Sequence, residues 1–221
     1  MNQPRVAVLA SGRGSNLAAL LAARDRGELP VEFVLVGSDK AKAGALALAA
    51  DAGIPTLALD PRSYPDRRSF DLDMFDHIAA SGADWLVLAG YMRILDGAAM
   101  APWVGRMINI HPSLLPKYRG LHTHRRAIEA GDTEHGASVH FVTAELDGGP
   151  VIAQARLPIE AGDDESTLAQ RLLPLEHRLL PAVLHLLAAG RLQWHETAPR
   201  LDGKTLAAPL HLLYDGLHAA E

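Results

Sequence analysis

The chain has 221 residues, of which 48% are hydrophobic and 5% aromatic, and its formal net charge is −5. This length, with an interior that must be mostly Ala, Leu, Val and Ile, favours a single α/β domain over residues 1–221. The sequence has no cysteine, which excludes disulfides and thiol catalysis. It also has no basic block with interleaved aromatic residues and no run of 18 apolar residues, which argues against nucleic acid and against a membrane as a partner.

The first half of the chain alternates apolar runs of strand length with helical patterns. Its opening residues lead directly into the first run, so we expect no signal peptide and a cytoplasmic protein. The predicted strands cover residues 6–10, 31–36, 56–59 and 85–89, and the predicted helices cover 17–27, 41–51 and 65–80. Continuous apolar runs of this kind are typical of buried parallel strands.

A glycine-rich turn, Ser11 to Asn16, follows the first predicted strand and leads into a helix. Backbone N–H groups at the start of such a helix can bind a phosphate, which the helix dipole also favours. The third glycine of a dinucleotide fingerprint and the Gly-Lys-Ser/Thr end of a P-loop are missing, so the pattern favours a single phosphate. Two alternatives stay open: a plain tight turn, and a dinucleotide site in which Asp39 holds the ribose.

Two features near the middle of the chain indicate a further ligand. The loop Gly90 to Leu95 is apolar where polar residues are usual, which is typical of a wall for a flat ring; the alternative is a loop that folds into the core. Arg67 and Arg68 lie in the first turn of a predicted helix, where a cation opposes the helix dipole. Either one of them faces an acidic ligand, or the two form a solvated surface pair.

The second half is predicted to contain three strands, a short helix and a long helix. The strands cover residues 107–111, 138–142 and 151–157, the short helix covers 123–130, and the long helix runs from a cap at Asp163 or Asp164 to Gly190. Pro174 and Pro181 are expected to kink or divide the long helix. An edge strand at 191–195, a hairpin at 201–204 and a marginal tail at 206–221 complete the chain.

This order of elements predicts an α/β fold: a doubly wound, mostly parallel Rossmann-like sheet of about seven strands with helices on both faces. The fifth predicted strand carries Asn109 and His111, whose side chains project from the same face because they lie two residues apart. Pro112 ends this strand, which leaves the imidazole at the edge where ligands bind. An amide there can donate a hydrogen bond and an imidazole can move a proton, although a structural strand cap is the alternative. Asp147 lies in an Asp-Gly-Gly turn, and only pairing with His111 would give it a catalytic role.

Five of the eleven histidines lie between His111 and His140, so a metal site is an alternative. His122 and His124 are the closest pair, but no third ligand stands at a recognisable spacing, and we predict no metal. We expect His122, His124 and His140 to be core or wall residues. A serine hydrolase is also disfavoured, because Ser113 lacks Gly-x-Ser-x-Gly surroundings.

Several motifs together resemble those of the folate-dependent formyltransferases. The most specific are Asn-x-His-Pro-Ser-Leu-Leu-Pro at 109–116 and Leu-Asp-Gly-Gly-Pro at 146–150. Further matches lie at 11–16, 90–95, 120–124 and 134–140, so the resemblance covers nearly the whole chain. It implies the formyltransferase fold, with a phosphate-binding half at about 1–100 and a catalytic and folate-binding half at about 101–205.

The same resemblance implies transfer of a formyl group from 10-formyltetrahydrofolate, as co-substrate, to the amine of phosphoribosylglycinamide in purine biosynthesis. By resemblance the catalytic residues are Asn109, His111 and Asp147. The residues that would bind phosphoribosylglycinamide are Gly14, Ser15, Asn16 and Glu176, and those that would bind the folate are Arg67, Met92, Arg93, Ile94, Leu95 and Asn109. Arg13 and Tyr91 depart from the family pattern, which bears on affinity and leaves the reaction unchanged.

Rival functions remain open within and outside this family. Other members transfer formyl to initiator tRNA or hydrolyse formyl-folate; they resemble this core with an added domain, and the hydrolases usually have His-His-Ser where this chain has His-Pro-Ser at 111–113. A nucleotide-binding module without catalysis would not need Asn109, His111 and Asp147 together. We expect small-molecule substrates and either a monomer or a homodimer.

Overall fold

The computed structural model describes residues 3–219 and divides into two compact units, one ending at Asn109 and one beginning at Ile110. The boundary falls inside a strand, somewhat later than the boundary near residue 100 that the sequence predicts. The assignment of one domain to the whole chain stays a prediction.

The first unit contains a parallel sheet. Its strands are β1 (Arg5–Leu9), β2 (Glu32–Ser38), β3 (Thr56–Ala58), β4 (Trp85–Leu88) and β5 (Met107–His111), of which β5 runs across the boundary. They lie in the order β3-β2-β1-β4-β5, and every neighbouring pair is parallel. The chain moves outward from β1 to β3 and then returns to the other side of β1, so the order reverses between β1 and β4. Loops after these two strands therefore flank a topological switch point, where ligands bind in sheets of this type.

Four α-helices belong to the first unit: α1 (Ser15–Asp25), α2 (Gly44–Asp51), α3 (Arg67–Ala80) and α4 (Gly97–Met100). Helix α3 buries Phe70, Met74 and Ile78 on one stripe, as the spacing predicts, and the Asp66 side chain caps it by accepting a hydrogen bond from the Ser69 N–H at 2.8 Å. Helix α1 differs, because Gly14 stands at its N-cap and provides no side chain.

The second unit has a mixed sheet of β6 (Glu134–Phe141), β7 (Val151–Pro158), β11 (Leu210–Leu213) and β12 (Gly216–His218). β7 pairs antiparallel with β6 and parallel with β11, and β12 pairs antiparallel with β11. The described residues thus form twelve strands, more than the seven predicted. All strand pairs of the first unit and the β7–β11 pair have the predicted parallel direction.

The C-terminal part corrects two expectations. The stretch predicted as an edge strand forms a separate small antiparallel sheet of β8 (Leu192–His195), β9 (Ala198–Leu201) and β10 (Lys204–Thr205). The predicted marginal tail supplies β11 and β12, because Leu210 is buried and the Arg178 guanidinium donates to the Leu213 carbonyl at 2.6 Å. Residues 220 and 221 of that tail lie outside the described residues.

The remaining helices are α5 (Thr123–Glu129) and α6 (Glu165–Ala188). The Asp164 side chain caps α6 by accepting from the Thr167 N–H at 2.8 Å, as predicted for one of two aspartates. Pro174 and Pro181 lie inside α6 and do not divide it, so a divided helix was wrong, while a kink stays a prediction. A proline removes a backbone hydrogen bond, but α6 packs a long leucine stripe against β6 and β7, and this burial outweighs the loss. Within residues 3–219 no helix combines the length and the apolar character that crossing a membrane requires.

Candidate active site

Two loops of the first unit meet at the switch point between β1 and β4. The Ser11 N–H donates to the Gly90 carbonyl at 3.0 Å, and the Ser11 hydroxyl accepts a hydrogen bond from the Met92 N–H at 2.9 Å. Ser11 itself is buried. The predicted phosphate turn and the predicted ring-binding loop are therefore held together by the first residue of the turn.

The glycine-rich turn ends in a helix N-terminus that no side chain caps. Gly14 has φ 83°, a left-handed conformation that favours glycine, and a Cβ there would lie 2.8 Å from the Ala45 Cα. Ser15 begins α1 and Asn16 is buried, while Arg13 is exposed. The first N–H groups of a helix are left over by the intrahelical pattern and bind anions when no cap takes them. This geometry therefore favours the interpretation of the turn as a phosphate site over its interpretation as a plain tight turn.

The apolar loop presents side chains to solvent. Met92 is 66% exposed and Ile94 is 54% exposed, so the alternative that this loop folds into the core is wrong for both. Between them the Arg93 guanidinium lies 4.6 Å from the centroid of the Phe70 ring, which supports the loop from below. Exposed apolar side chains on a supported loop can cover one face of a flat ring.

Buried polar groups lie under this loop. Burial raises the pKa of the Tyr91 hydroxyl, and the neighbouring Asp39 and Asp71 carboxylates raise it further, so Tyr91 keeps its proton at neutral pH. Burial also raises the pKa of Asp71, although its carboxylate accepts a hydrogen bond from the Asp96 N–H at 2.7 Å. Arg67, the first residue of α3, is exposed, and it interacts with Asp71 electrostatically. Both the acidic-ligand and the surface-pair interpretations of Arg67 remain.

In the second unit, His111 and Asp147 come together although they are far apart in sequence. His111 Nδ1 lies 3.5 Å from Asp147 Oδ2, and both side chains are about nine-tenths buried, at 8% and 10% exposure. This separation is an ion-pair distance and is longer than an ordinary hydrogen bond. Asp147 has φ 47°, a conformation that Asp tolerates in turns, so its turn position and its contact with His111 coexist.

Backbone groups of the segment 118–120 hold both side chains. The Tyr118 carbonyl lies 2.9 Å from His111 Nε2, and the Gly120 N–H donates to Asp147 Oδ2 at 2.8 Å. Because a carbonyl can only accept, Nε2 must carry the proton of this bond, and Nδ1 is the ring nitrogen that faces Asp147. Sequence analysis missed both backbone contacts, since a carbonyl or N–H leaves no residue-type signal.

A buried polar network positions the start of this segment. The Ser138 hydroxyl donates to the Ser113 carbonyl at 2.7 Å and accepts from the Leu115 N–H at 3.0 Å, and the Gln154 amide donates to the Leu115 carbonyl at 2.9 Å. The Ser113 hydroxyl donates to the Lys117 carbonyl at 2.6 Å. Ser113 thus serves the local backbone, which gives no support to a serine nucleophile.

His140 is a site neighbour that the sequence analysis assigned to the core or a wall. It is buried, and its Nε2 lies 3.7 Å from Asp147 Oδ1. Burial lowers the pKa of His140 to about 4, so its ring is neutral at pH 7, and its Nδ1 lies 2.9 Å from the Phe141 carbonyl. A neutral His140 brings no positive charge to Asp147, which leaves His111 as the histidine that can. The available signal was an imidazole between two apolar residues, Val139 and Phe141, of a predicted strand.

The other three histidines between His111 and His140 are an exposed residue and a part-buried pair. His122 has a side chain that is 57% exposed, so a place in the core was wrong for it, while a place in a pocket wall stays a prediction. His124 and His135 form the pair: His135 Nε2 lies 2.9 Å from His124 Nδ1, and burial lowers the pKa of His135 to about 4. Within the described part of the chain, residues 3–219, no group of three or more His, Cys, Asp or Glu side chains is arranged to hold a metal ion.

Two further predicted residues lie on regular elements. Asn109 is half-buried on β5, and Glu176 is half-buried on α6. Their roles stay predictions.

Comparisons with known proteins identify relatives along almost the whole chain. Residues 4–184 match the family model described as formyl transferase. The chain is 48% identical over 201 residues to a phosphoribosylglycinamide formyltransferase from Escherichia coli (strain K12), covering 91% of this chain and 95% of that relative. A solved phosphoribosylglycinamide formyltransferase from Coxiella burnetii superposes with a TM-score of 0.89 at 47% identity, covering 93% of this chain and 96% of that one. A glycinamide ribonucleotide transformylase 1 from Symbiobacterium toebii gives 0.87 at 42% identity, with 90% and 94% covered.

Proposed function

Because the chain belongs to the formyl transferase family, we propose that it transfers a formyl group from 10-formyltetrahydrofolate to the amine of phosphoribosylglycinamide, a step of purine biosynthesis. The observation that carries this proposal is the match to the Escherichia coli enzyme over nearly the full length of both chains. The substrates are small molecules. Whether the protein is a monomer or a homodimer stays a prediction.

The phosphate of phosphoribosylglycinamide binds, in this proposal, at the uncapped start of α1. Gly14, Ser15 and Asn16 offer backbone N–H groups there, and the absence of a capping side chain supports the assignment. Glu176 is proposed to bind the ribose or the amine. Its carboxylate can accept hydrogen bonds from either group.

The folate ring binds against the loop of Met92, Arg93, Ile94 and Leu95. The fit rests on the exposure of Met92 and Ile94, whose apolar side chains match a flat heteroaromatic face. Asn109 contributes a further hydrogen bond to this ligand, and Arg67 pairs with its acidic tail. When bound, 10-formyltetrahydrofolate supplies the electrophilic formyl carbon.

The chain's own residues then act on the charges that develop when the amine attacks that carbon. The formyl oxygen becomes negative, and the Asn109 NH₂ donates a hydrogen bond to it. As the bond between the formyl carbon and N10 of the folate breaks, the attacking nitrogen must lose a proton and N10 of the departing tetrahydrofolate must gain one. His111 moves this proton through Nδ1, because the Tyr118 carbonyl occupies Nε2.

Asp147 acts on His111 by charge. Its carboxylate faces Nδ1 across 3.5 Å, where it stabilises the positive charge that develops on the ring during proton transfer, and it can also bind a water that relays the proton. The neutral His140 on the other carboxylate oxygen does not compete for this role. Burial of all three side chains strengthens the interaction relative to bulk water.

A spectroscopic assay tests the proposal. Purified protein is mixed with 10-formyltetrahydrofolate, and conversion to tetrahydrofolate is followed with and without phosphoribosylglycinamide. Conversion that requires phosphoribosylglycinamide, with formylation of its amine seen by mass spectrometry, is the expected result. Equal conversion without the amine, with release of formate, would instead identify a hydrolase, and no conversion in either sample would refute catalysis.

A further inference from the structure

The segment from Tyr118 to His122 needs support from outside itself. Tyr118 and His122 both have positive φ, 55° and 59°, in the left-handed region that non-glycine residues adopt at a cost. Yet the Tyr118 carbonyl and the Gly120 N–H must lie in fixed places to reach His111 and Asp147. Something must therefore hold the segment in this conformation.

Arg126, on the first turns of α5, makes the contacts that hold it. Its Nη1 donates to the Arg119 carbonyl at 2.6 Å and lies 3.3 Å from the Leu121 carbonyl. Its guanidinium also lies 5.2 Å from the centroid of the Tyr118 ring. Arg126 therefore contacts the segment on both sides of Gly120, at residues 118 and 119 before it and at residue 121 after it. The two backbone groups that contact His111 and Asp147, the Tyr118 carbonyl and the Gly120 N–H, lie between these contacts.

We propose that Arg126 is a positioning residue for this active site: by clamping residues 118–121 it holds the Tyr118 carbonyl on His111 Nε2 and the Gly120 N–H on Asp147. The inference rests on the proposed function for the identity of the reaction. Arg126 touches no reacting atom and acts only through the segment.

The clamp sets which ring nitrogen of His111 does the chemistry. With Nε2–H held by a carbonyl, Nδ1 is directed to Asp147, and a neutral ring keeps one tautomer. If the segment moves, both the tautomer and the distance to Asp147 become variable, and small misplacements of this kind can cost about 100-fold in rate. The titratable groups that face His111 are Asp147, His124, His135 and His140, and none of them is altered by changing Arg126.

The test compares Arg126→Ala with Arg125→Ala, the adjacent arginine of α5, which is half exposed and pairs with Glu129 at 3.9 Å. For Arg126→Ala we expect kcat to fall by about 10- to 100-fold. The KM values for both substrates should change by no more than about threefold. The pH–rate profile of Arg126→Ala should also differ from that of the parent, because the His111 Nε2–H is no longer held by a fixed acceptor. Arg126→Lys, which keeps a cationic donor without the planar fork, should recover part of kcat, and Arg125→Ala should behave like the parent.

A second readout requires no substrate. The ¹⁵N shifts of the His111 ring report its tautomer in the parent and in Arg126→Ala, so the inference can be judged even if the parent proves unable to transfer formyl groups. The proposal is overturned by an unchanged tautomer together with an unchanged kcat and pH profile, or by equal effects in Arg125→Ala. If Arg126→Ala does not fold, Arg126→Gln takes its place. Unfolding of both, with Arg125→Ala folded, would make Arg126 a residue of the fold alone and would also overturn the proposal.

Discussion

The Ser11 hydroxyl accepts the N–H of Met92 at 2.9 Å, which joins the first residue of the glycine-rich turn to the first exposed residue of the apolar loop. The two segments are separated by about eighty residues of sequence but leave neighbouring parallel strands at one edge of the sheet. In the proposed reaction they bind the two different substrates. One buried hydroxyl therefore links the two segments that are proposed to bind the two substrates.

Ser11→Ala is expected to weaken folate binding first. The substitution leaves the Met92 N–H without its acceptor in a partly buried place, which costs about 1–3 kcal/mol, and the loop can relax toward solvent. KM for 10-formyltetrahydrofolate should rise several-fold, with a smaller rise for phosphoribosylglycinamide. Steady-state kinetics check this against Ser63→Ala, an exposed serine. Equal KM values in the two variants would show that the link is unimportant.

Gly12→Ala is expected to impair phosphoribosylglycinamide binding without harming the fold. Among the described residues no heavy atom lies within 4 Å of a Cβ at Gly12, whereas a Cβ at Gly14 would lie 2.8 Å from the Ala45 Cα. A methyl group at Gly12 can therefore clash only with a ligand. KM for phosphoribosylglycinamide should rise while KM for the folate and the unfolding temperature stay unchanged, and Gly14→Ala should also lower the unfolding temperature. Tight NAD binding at this turn would contradict the phosphate assignment.

Asn109→Ala is expected to lower kcat by about 10²- to 10³-fold, the usual cost of removing one donor to a developing oxyanion. Because the hydrogen bond strengthens as charge develops, KM should change less than kcat. Rapid-quench kinetics on a variant with a normal unfolding profile measure the effect. Near-normal turnover in that folded variant would remove Asn109 from catalysis.

Asp147→Asn keeps the shape of the side chain and removes its charge. The amide can still accept from the Gly120 N–H, so the turn should persist, but the charge that favours a protonated His111 is lost. We expect a large fall in kcat with a modest change in KM, measured by steady-state kinetics over a range of pH. If kcat and the pH–rate profile are both unchanged, Asp147 is only a turn residue.

The free energy of unfolding is expected to fall as pH decreases from 6.5 toward about 4. Burial lowers the pKa of His135 and of His140 from 6.5 to about 4, so in this interval the unfolded chain binds protons that the folded chain does not. Urea unfolding at several pH values measures the slope. His135→Asn should make the slope shallower, whereas His195→Asn, at an exposed position, should leave it as in the parent. If the free energy of unfolding depends on pH in the same way in the parent and both variants, the lowered pKa of His135 does not contribute to the slope.

The sequence predicted most of the fold of the first unit because its strands are continuous apolar runs. Each of β1, β2 and β4 is buried along nearly its whole length, and the Gly and Pro residues between elements mark where they end. The prediction failed where stability comes from distant partners. Leu210 to Leu213 has no strong strand pattern, and it becomes a strand because the edge of β7 offers hydrogen bonds.

The candidate site was likewise predictable from the sequence only in part. Asn109, His111 and Asp147 were recognisable because their residue types and turns carry information, and the structure brings His111 and Asp147 within ion-pair distance. The contacts of Tyr118 and Gly120 were not recognisable, because they use backbone atoms. Arg126 was missed since an arginine on a helix is usually a solvated residue, and only the three-dimensional path of residues 118–121 gives it a different role.

The short strands at the C-terminus change which strand forms one edge of the mixed sheet. β11 pairs with β7 at Ala153 and Gln154, so this part of β7 is not an open edge to which another chain could add. The outermost strand is β12, which has only three residues and carries His218 paired to Asp215 at 2.8 Å. A short edge strand with polar groups is a poor template for intermolecular strand addition, so the segment predicted to be marginal limits strand addition at this edge.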